Sequence, residues 1–224
     1  MCIVSYIPIK NGFILTSNRD IPKLRPFSTS PTVHNINNNK IIFPVDPQGG
    51  GSWIATQKNF TGCILNHKWI KKNKQEFNSR GKLLINSLTS NMSYIKKKGF
   101  QNKYKPFFFI IISIKEKNSN LKSYSWDGLN FKEQKLDVKK NILWLSNTIY
   151  SKSGQKRIKD EFNLLSKNKL TETDIYNFHL NNIIKEKKDL ITGSITQIIQ
   201  QKEEKKITYT DLYTSKQKLS TLKI

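Results

Sequence analysis

The second residue of the chain is a cysteine. Methionine aminopeptidases remove an initiator methionine that precedes a small residue, so we expect the mature chain to begin with Cys2. That residue would then carry a thiol and a free α-amine, and the amine, with a reference pKa of about 7.7–8, can accept the thiol proton near neutral pH. The alternative is that Cys2 is an ordinary strand residue.

Two β-rich segments, residues 2–7 and 13–18, flank a turn that contains Pro8 and Gly12. An antiparallel hairpin through these segments would place residue 2 opposite residue 18 or 19. The sequence therefore predicts that the start of the chain and the segment around residue 19 lie at the same end of one sheet.

Arg19 and Asp20 occupy that predicted end of the hairpin. A guanidinium beside a thiol favours the thiolate, which is the nucleophilic form. A carboxylate could hold the α-amine or the arginine in place. These pairings make Cys2, Arg19 and Asp20 candidate catalytic residues, and the alternative is a surface ion pair that contributes little to stability.

Further candidates lie in a glycine-rich loop and at the ends of later strands. Consecutive glycines permit a close backbone approach, so the loop with Gly50, Gly51, Ser52 and Trp53 could offer amide groups to an oxyanion, or it could be a mobile loop before a strand. Side-chain amides at strand ends are also plausible oxyanion donors. Two asparagines stand at such ends, Asn66 and Asn147.

The remaining cysteine and the histidines indicate no second reactive centre. Cys63 lies in an apolar strand and is expected to be a buried thiol. The three histidines show no metal-ligand spacing, so we predict no metal. These histidines are His34, His67 and His179.

The formal net charge is +23, which raises the question of a nucleic-acid site. Of the 39 lysines and arginines only four are arginines, and the lysines are scattered among asparagines and isoleucines. Such a composition fits a biased codon usage and a solvated surface better than a specific polyanion site. The four arginines are Arg19, Arg25, Arg80 and Arg157.

Size and hydrophobic patterning predict one domain over residues 1–224. The longest apolar run, residues 106–112, is too short to span a bilayer and suits a strand that is buried on both faces. We see no secretory signal, and two cysteines form no disulfide framework, so we expect a cytoplasmic protein.

Strand patterns at both ends of the chain and helical patterns in its middle indicate an α+β fold. Strands are predicted at 41–44, 53–57, 61–66, 106–114, 121–126, 129–132 and 142–146. Helices are predicted from Ser79 to about Lys98, from Gln155 to Ser166, and from a capping-box-like start at residues 171–174. The end of the chain is predicted to form a hairpin with a turn at 202–206.

Several short motifs, in the same order along the chain, resemble those of the NRDE family, which includes transport and Golgi organisation protein 2. These motifs are Met1-Cys2-Ile-Val, Leu15-Thr-Ser-Asn18-Arg19-Asp20, Gly50-Gly51-Ser52-Trp53-Ile54, Cys63-Ile-Leu-Asn66, Ser79-Arg80-Gly81, Trp144-Leu-Ser146-Asn147-Thr-Ile-Tyr150 and Ser194-Ile-Thr-Gln-Ile198. The sequence departs from the family motif at Ile21, where a glutamate is usual. It also has Gly193 and Ser194 where related enzymes carry a late arginine.

The resemblance implies an N-terminal-nucleophile hydrolase fold, an αββα sandwich of two antiparallel sheets flanked by helices. It implies a cysteine amidohydrolase or acyltransferase that acts on an amide C–N bond of a small molecule, with Cys2, Arg19 and Asp20 at the nucleophile and Asn66 and Asn147 at the oxyanion. No cofactor is expected.

The alternative that the resemblance leaves open is a non-catalytic protein that binds or traffics a hydrophobic ligand, haem or a lipid. Cys2 and His67 would then be the candidate haem ligands.

Overall fold

A computed structural model of the chain describes residues 3–70, 76–115, 118–185 and 189–213. The chain clusters into two compact units. The first contains the segments up to Arg25 and from Lys139 onward, and the second contains Pro26–Val138. Each unit is built around one antiparallel sheet, so the predicted α+β class with two antiparallel sheets is confirmed.

Strands outnumber helices among the described elements. The strands are β1 (Ile3–Ile9), β2 (Gly12–Pro22), β3 (Thr32–Ile36), β4 (Asn39–Phe43), β5 (Ile54–Gln57), β6 (Phe60–Asn66), β7 (Phe107–Lys115), β8 (Asn118–Trp126), β9 (Phe131–Leu136), β10 (Ile142–Leu145), β11 (Leu190–Gln201) and β12 (Glu204–Asp211). The α-helices are α1 (Arg80–Thr89), α2 (Lys152–Leu165) and α3 (Glu172–Asn181).

The first unit holds a five-stranded sheet in the order β10-β1-β2-β11-β12. Its first hairpin pairs Val4 with Ser17 and closes at Ile9 and Gly12, so the predicted hairpin is confirmed over its described pairs. The turn passes through Asn11, whose positive φ of 61° is a conformation that asparagine tolerates. Gly12 is required there because a Cβ would lie 1.8 Å from the carbonyl oxygen of Gln200.

Helices α2 and α3 cover one face of this sheet. Alternate strand residues Ile3, Ile7, Ile14 and Ile199 pack with helix residues into one buried apolar cluster, because successive residues of a strand point to opposite faces. The helix residues of this cluster are Ile158, Phe162, Ile175 and Phe178. The face is called the His179 face below, because that histidine of α3 also packs against it.

The second unit is a seven-stranded sheet whose strands, β3 to β9, pair in simple chain order. β7 lies between β6 and β8, and its residues Phe109, Ile110 and Ile112 are fully buried. Phe109 and Ile110 are consecutive and therefore point to opposite faces of the sheet. The prediction of a strand buried on both faces is confirmed.

The helix predicted from Ser79 to Lys98 is too long. α1 ends at Thr89, and two 3₁₀ turns at Tyr94–Lys96 and Phe100–Lys103 follow it. Asn91 and Met92 both have positive φ, which breaks the helical path. Apolar residues follow one another beyond Thr89 because they are buried, although the backbone there is not α-helical.

Two other predictions differ from the observed strands. The closing hairpin turns at Lys202 and Glu203 rather than over 202–206, since β12 already begins at Glu204. The sequence also did not predict strand β3, which begins directly after Pro31. None of the helices in the described ranges combines the length and the apolarity that a membrane span requires.

Helix α3 begins with a complete capping box. The Thr171 hydroxyl accepts a hydrogen bond from the backbone N–H of Asp174, and the Asp174 carboxylate accepts one from the backbone N–H of Thr171. Aspartate therefore fills the place of the usual glutamate or glutamine, as the sequence pattern predicted. The Thr171 hydroxyl also donates to the Asp174 carboxylate, and this hydrogen bond, followed by the one from the Thr171 backbone N–H, lowers the pKa of Asp174.

Replacing Thr171 with alanine is expected to lower the free energy of unfolding by about 1 kcal/mol, because the first turn of α3 loses its side-chain cap. Urea denaturation measures the change. Thr173→Ala, two residues into the same exposed turn, is the control and should leave the stability unchanged or slightly higher, since alanine has the higher helix propensity. Equal losses in both variants would show that the cap contributes nothing.

Candidate active site

The candidate nucleophile Cys2 lies outside the described residues. Ile3, the residue bonded to it, begins β1 beside β10 and β2. Because Val4 pairs with Ser17, the start of β1 lies at the end of the sheet where β2 carries residues 18–20. The predicted relation between the hairpin end and Arg19 therefore holds for the described part of the hairpin.

Arg19 is almost completely buried, with 2% of its surface exposed, although it carries a guanidinium. It lies in β2 directly opposite Ser194 of β11, and the next pair on that face is Ser17 with Thr196. Residues opposite each other in antiparallel strands share a face. We call the side of the sheet that carries Ser17, Arg19, Ser194 and Thr196 the Arg19 face.

A β-bulge at Gly193 sets this alignment. The register of β2 and β11 shifts between Thr192 and Ser194, so that Asp20 pairs with Thr192 and Arg19 pairs with Ser194. A Cβ at Gly193 would lie 3.2 Å from Cδ1 of Ile21. Ile21, at the position where the NRDE motif has glutamate, is itself buried in this contact.

Asp20 follows Arg19 in the strand, so its side chain points to the His179 face. Its carboxylate accepts a hydrogen bond of 2.5 Å from the Thr192 hydroxyl and one of 3.4 Å from the Tyr150 hydroxyl. The Thr192 oxygen also accepts the backbone N–H of Ile184 at 2.7 Å. Asp20 thereby ties the end of β2 to β11 and to two connecting segments.

His179 of α3 forms the centre of a second buried polar network. Its Nδ1 lies 2.7 Å from Oδ1 of Asn18, and its Nε2 lies 2.8 Å from Oγ of Ser5. The Asn18 amide nitrogen donates to the backbone carbonyl of His179, which fixes Oδ1 as the acceptor. His179 is therefore a neutral imidazole that donates from Nδ1 and accepts the Ser5 proton at Nε2.

Burial keeps this imidazole neutral. His179 has no exposed surface, and desolvation lowers its pKa to about 3. The histidine links α3 to β1 and β2, and its partner Asn18 is the residue before Arg19. The network is a structural support for the candidate site, since it positions the strand that carries Arg19.

The glycine-rich loop lies in the second unit and is occupied by internal contacts. The Gly50 N–H donates to the Asp46 carbonyl at 2.9 Å, and the Ser52 N–H points to the Gly81 carbonyl at 3.4 Å. A Cβ at Gly51 would lie 2.3 Å from the backbone of Gly81. These contacts favour the interpretation of a tightly packed loop before β5 and explain its glycines through backbone approach. Trp53 beside it is buried.

The two candidate oxyanion residues lie in different units. Asn66 is the last residue of β6 and pairs with Phe107 in the second unit. Asn147 follows β10 in the first unit, the unit that also contains Arg19 and Asp20. Both side chains are half-buried. Each asparagine thus stands at the end of a strand, as the sequence predicted.

Two buried polar residues were missed by the sequence reasoning. His179 was considered only as a metal ligand, although its place in the apolar pattern of α3 marked it as a core residue. Lys205 of β12 is also buried, and desolvation lowers its pKa to about 7. It pairs with Gln200, towards the opposite end of β11 from Ser194. In the chain's long series of lysines nothing distinguished it.

Cys63 is fully buried in β6, as predicted. Across the described ranges, no three or more histidine, cysteine, aspartate or glutamate side chains gather in a way that could hold a metal ion.

The molecule is thus an α+β protein with two antiparallel sheets and a buried arginine at the end of its first hairpin. A sequence model of the family described as Transport and Golgi organisation 2 matches residues 1–222, and the chain belongs to this family. Among solved structures, the chain is similar to penicillin V acylase from Agrobacterium tumefaciens, at 6% identity and a TM-score of 0.48, over 96% of this chain and 87% of that one. No curated protein matches it.

The buried imidazole should make stability depend on pH in one direction. Unfolded histidine titrates near 6.5, whereas His179 in the folded protein titrates at about 3. Above pH 6.5 both states are neutral. Below pH 6.5 the unfolded state binds one more proton than the folded state. The free energy of unfolding therefore falls by about 1.4 kcal/mol per pH unit until the pH approaches 3.

His179→Gln should therefore be less stable than the parent at pH 7, because it loses the Ser5 and Asn18 contacts, and the gap should narrow at pH 5. Urea denaturation of both proteins at the two pH values measures this convergence. A gap that stays constant would contradict a neutral buried His179.

Proposed function

We propose that this protein is a cysteine amidohydrolase or acyltransferase whose nucleophile is the Cys2 thiol, exposed together with its α-amine when the initiator methionine is removed. The reaction is the cleavage of an amide C–N bond in a small molecule. Support comes from the family to which the chain belongs, from the motifs around the first hairpin and from the buried Arg19 at the end of that hairpin.

Arg19 is the observation that carries the proposal. A guanidinium withdrawn from water is costly unless its surroundings compensate it, so burial of an arginine in a chain this rich in lysine calls for a specific role. A cation beside a cysteine lowers the thiol pKa and increases the thiolate fraction. Cys2 is one peptide bond from Ile3, at the end of the hairpin that Arg19 occupies.

Asp20 can interact with the α-amine, the second functional group of Cys2. The α-amine is a backbone group, so it is not confined to the Arg19 face as a side chain would be. The Asp20 carboxylate is held by Thr192 and Tyr150 on the His179 face. We assign it the role of orienting the ammonium that forms when the amine takes up the thiol proton.

The reaction follows from these two groups. The α-amine accepts the thiol proton, and the thiolate attacks the amide carbonyl to form a tetrahedral adduct. The ammonium then protonates the leaving nitrogen as the C–N bond breaks, which leaves a thioester on Cys2. Water or an acceptor amine attacks the thioester, gives its proton to the α-amine, and the released thiolate recovers a proton. Asn147, which lies in the same unit as Arg19, is proposed as an oxyanion donor.

The two networks behind β2 supply the rigidity that such a site requires. Ser5, His179 and Asn18 hold one side of the strand, and Thr192 with Tyr150 holds Asp20. Catalytic groups must be kept within a few tenths of an ångström of their working geometry. Buried and hydrogen-bonded neighbours meet this requirement better than a solvent-exposed loop.

Iodoacetamide at pH 7 is expected to label the folded protein once, on Cys2, because a thiolate reacts far faster than a thiol. Intact mass and peptide mapping identify the site and show whether the initiator methionine is absent. Cys63, which is fully buried, provides the matched internal control. It should react only after unfolding, and Cys63→Ala should label at the parental rate.

Equal and slow labelling of the parent and of Cys2→Ala would rule out an activated nucleophile. Labelling on Cys2 without any acyl adduct, across a panel of small amides, would instead favour ligand binding without turnover, the alternative function of the family resemblance.

Arg19→Met is expected to shift the pH midpoint of Cys2 alkylation upward by about one unit and to lower the rate at pH 7 about ten-fold, because the thiolate loses its cationic neighbour. Methionine fills a similar volume without charge, so the variant should remain folded.

Arg157→Met is the matched control for that measurement. Arg157 is mostly exposed on α2, where it donates to Asn182 and Glu161. It should keep the parental midpoint. An unchanged midpoint in Arg19→Met would remove Arg19 from the mechanism.

A further inference from the structure

Two exposed aliphatic side chains lie on neighbouring connections at one end of the sheet of the second unit. The segment after β6 and the turn between β8 and β9 meet there, because the Ile70 N–H donates to the Asp127 carbonyl at 2.8 Å. Ile70 is 68% exposed, and Leu129 of the turn is 58% exposed. Exposed apolar residues are ordinary one at a time, but two on hydrogen-bonded segments form a patch. We call this patch, with the neighbouring Trp69, the apolar tip.

The apolar tip is held in place by local contacts. The Trp69 ring meets the Phe77 ring at a centroid distance of 5.3 Å and an angle of 60°, and both residues are half-buried. The Asp127 carboxylate accepts the backbone N–H of Leu129 at 2.9 Å and that of Asn130 at 2.7 Å, which fixes the turn. The exposed side chains are thus presented to solvent by ordered connections.

Basic residues flank the apolar tip. The His67 N–H and the Arg80 guanidinium both donate to the Pro106 carbonyl, which joins three chain segments at this end of the sheet. The described segments that meet here, 67–70, 76–80, 105–106 and 127–132, carry four basic side chains against two acidic ones, Glu76 and Asp127. The basic residues are Arg80 and three exposed lysines, Lys68, Lys105 and Lys132.

We propose that the apolar tip docks this protein reversibly on a membrane surface that carries anionic lipids. Trp69, Ile70 and Leu129 enter the boundary between headgroups and acyl chains, and the flanking lysines contact lipid phosphates. The inference goes beyond the proposed function and does not depend on it, because Arg19 and Asp20 lie in the first unit.

Size and charge favour a bilayer over a protein as the occupant. Two short connections present a small apolar area, whereas a stable protein interface takes roughly 800 Å² from each partner. A second copy of the chain would bring like charges together. An indole ring suits the headgroup level of a bilayer, and a lysine can bury its methylene groups while its ammonium reaches a phosphate. The residue types of the tip and its flanks therefore match an anionic bilayer surface.

Co-sedimentation with vesicles tests the docking. The parent is expected to bind vesicles of phosphatidylcholine with about 30% phosphatidylglycerol, and to bind pure phosphatidylcholine far more weakly. Ile70→Ser and Leu129→Ser should each weaken binding about five-fold, because each removes an apolar contact with the acyl region. Leu164→Ser is the matched control, since Leu164 is 65% exposed on α2 in the other unit, and it should bind like the parent.

Lipids brominated in their acyl chains report which tryptophan enters the bilayer. The fluorescence of Trp69 should be quenched on binding, and Trp69→Phe should lose this quenching while it still sediments with the vesicles. Trp53 and Trp126 are buried and should not be reached. This measurement does not rely on the serine variants, whose Tm is expected to equal that of the parent because the replaced side chains are exposed.

Equal binding of the parent, Ile70→Ser and Leu129→Ser would overturn the proposal and leave adsorption through the net charge of +23 alone. Quenching that persists unchanged in Trp69→Phe would also overturn it, because another surface would then face the bilayer. No binding to the anionic vesicles would overturn it as well. If the parent then bound poly-L-glutamate more tightly than Ile70→Ser does, the tip would belong to an acidic protein partner instead.

Discussion

The pairing of β2 with a partner strand on each side is the constraint on which the rest of the first unit depends. β1 fixes it from one edge and β11 from the other, so that residues 17–20 have defined neighbours on both sides. A strand bonded along both edges can hold a charged side chain in a buried position without fraying. Arg19 is buried in this central strand, although arginine is a residue type that is mostly exposed.

The two faces of this sheet differ in how their polar groups are satisfied. On the His179 face, apolar residues pack under α2 and α3, and the polar groups among them are satisfied by one another. On the Arg19 face, the guanidinium stands beside hydroxyls that have no partner in the described part of the chain. Both faces are packed with apolar residues, including Val4, Tyr6 and Leu15 on the Arg19 face, so the difference between the faces lies in their polar groups. The bulge at Gly193 links the two, because it brings Ser194 rather than Gly193 opposite Arg19.

The family assignment covers the strands that build this sheet. The sequence model of the family matches almost the whole chain, including the segments that build the first hairpin and β11. The chain nevertheless has Ile21 at a position where the NRDE motif has an acid, and Ile21 is buried against the bulge. That contact gives the departure a packing role.

The sequence by itself determined the elements whose signals are local. The first hairpin, the buried strand β7 and the capping box of α3 follow from alternation, apolar runs and a spacing of three residues, and each was predicted within a few positions. Where apolar spacing continued past a break in backbone conformation, as at Asn91 and Met92, the same reasoning extended a helix too far.

Only the tertiary structure decided which distant residues meet. His179 is 161 positions from Asn18, and Ser194 is placed opposite Arg19 by a register shift that no local pattern encodes. Long-range pairing depends on the summed fit of whole strands and on the cost of leaving polar groups unsatisfied, so it cannot be read from the types of neighbouring residues. The sequence named Arg19 as a candidate, and the fold supplied its neighbours.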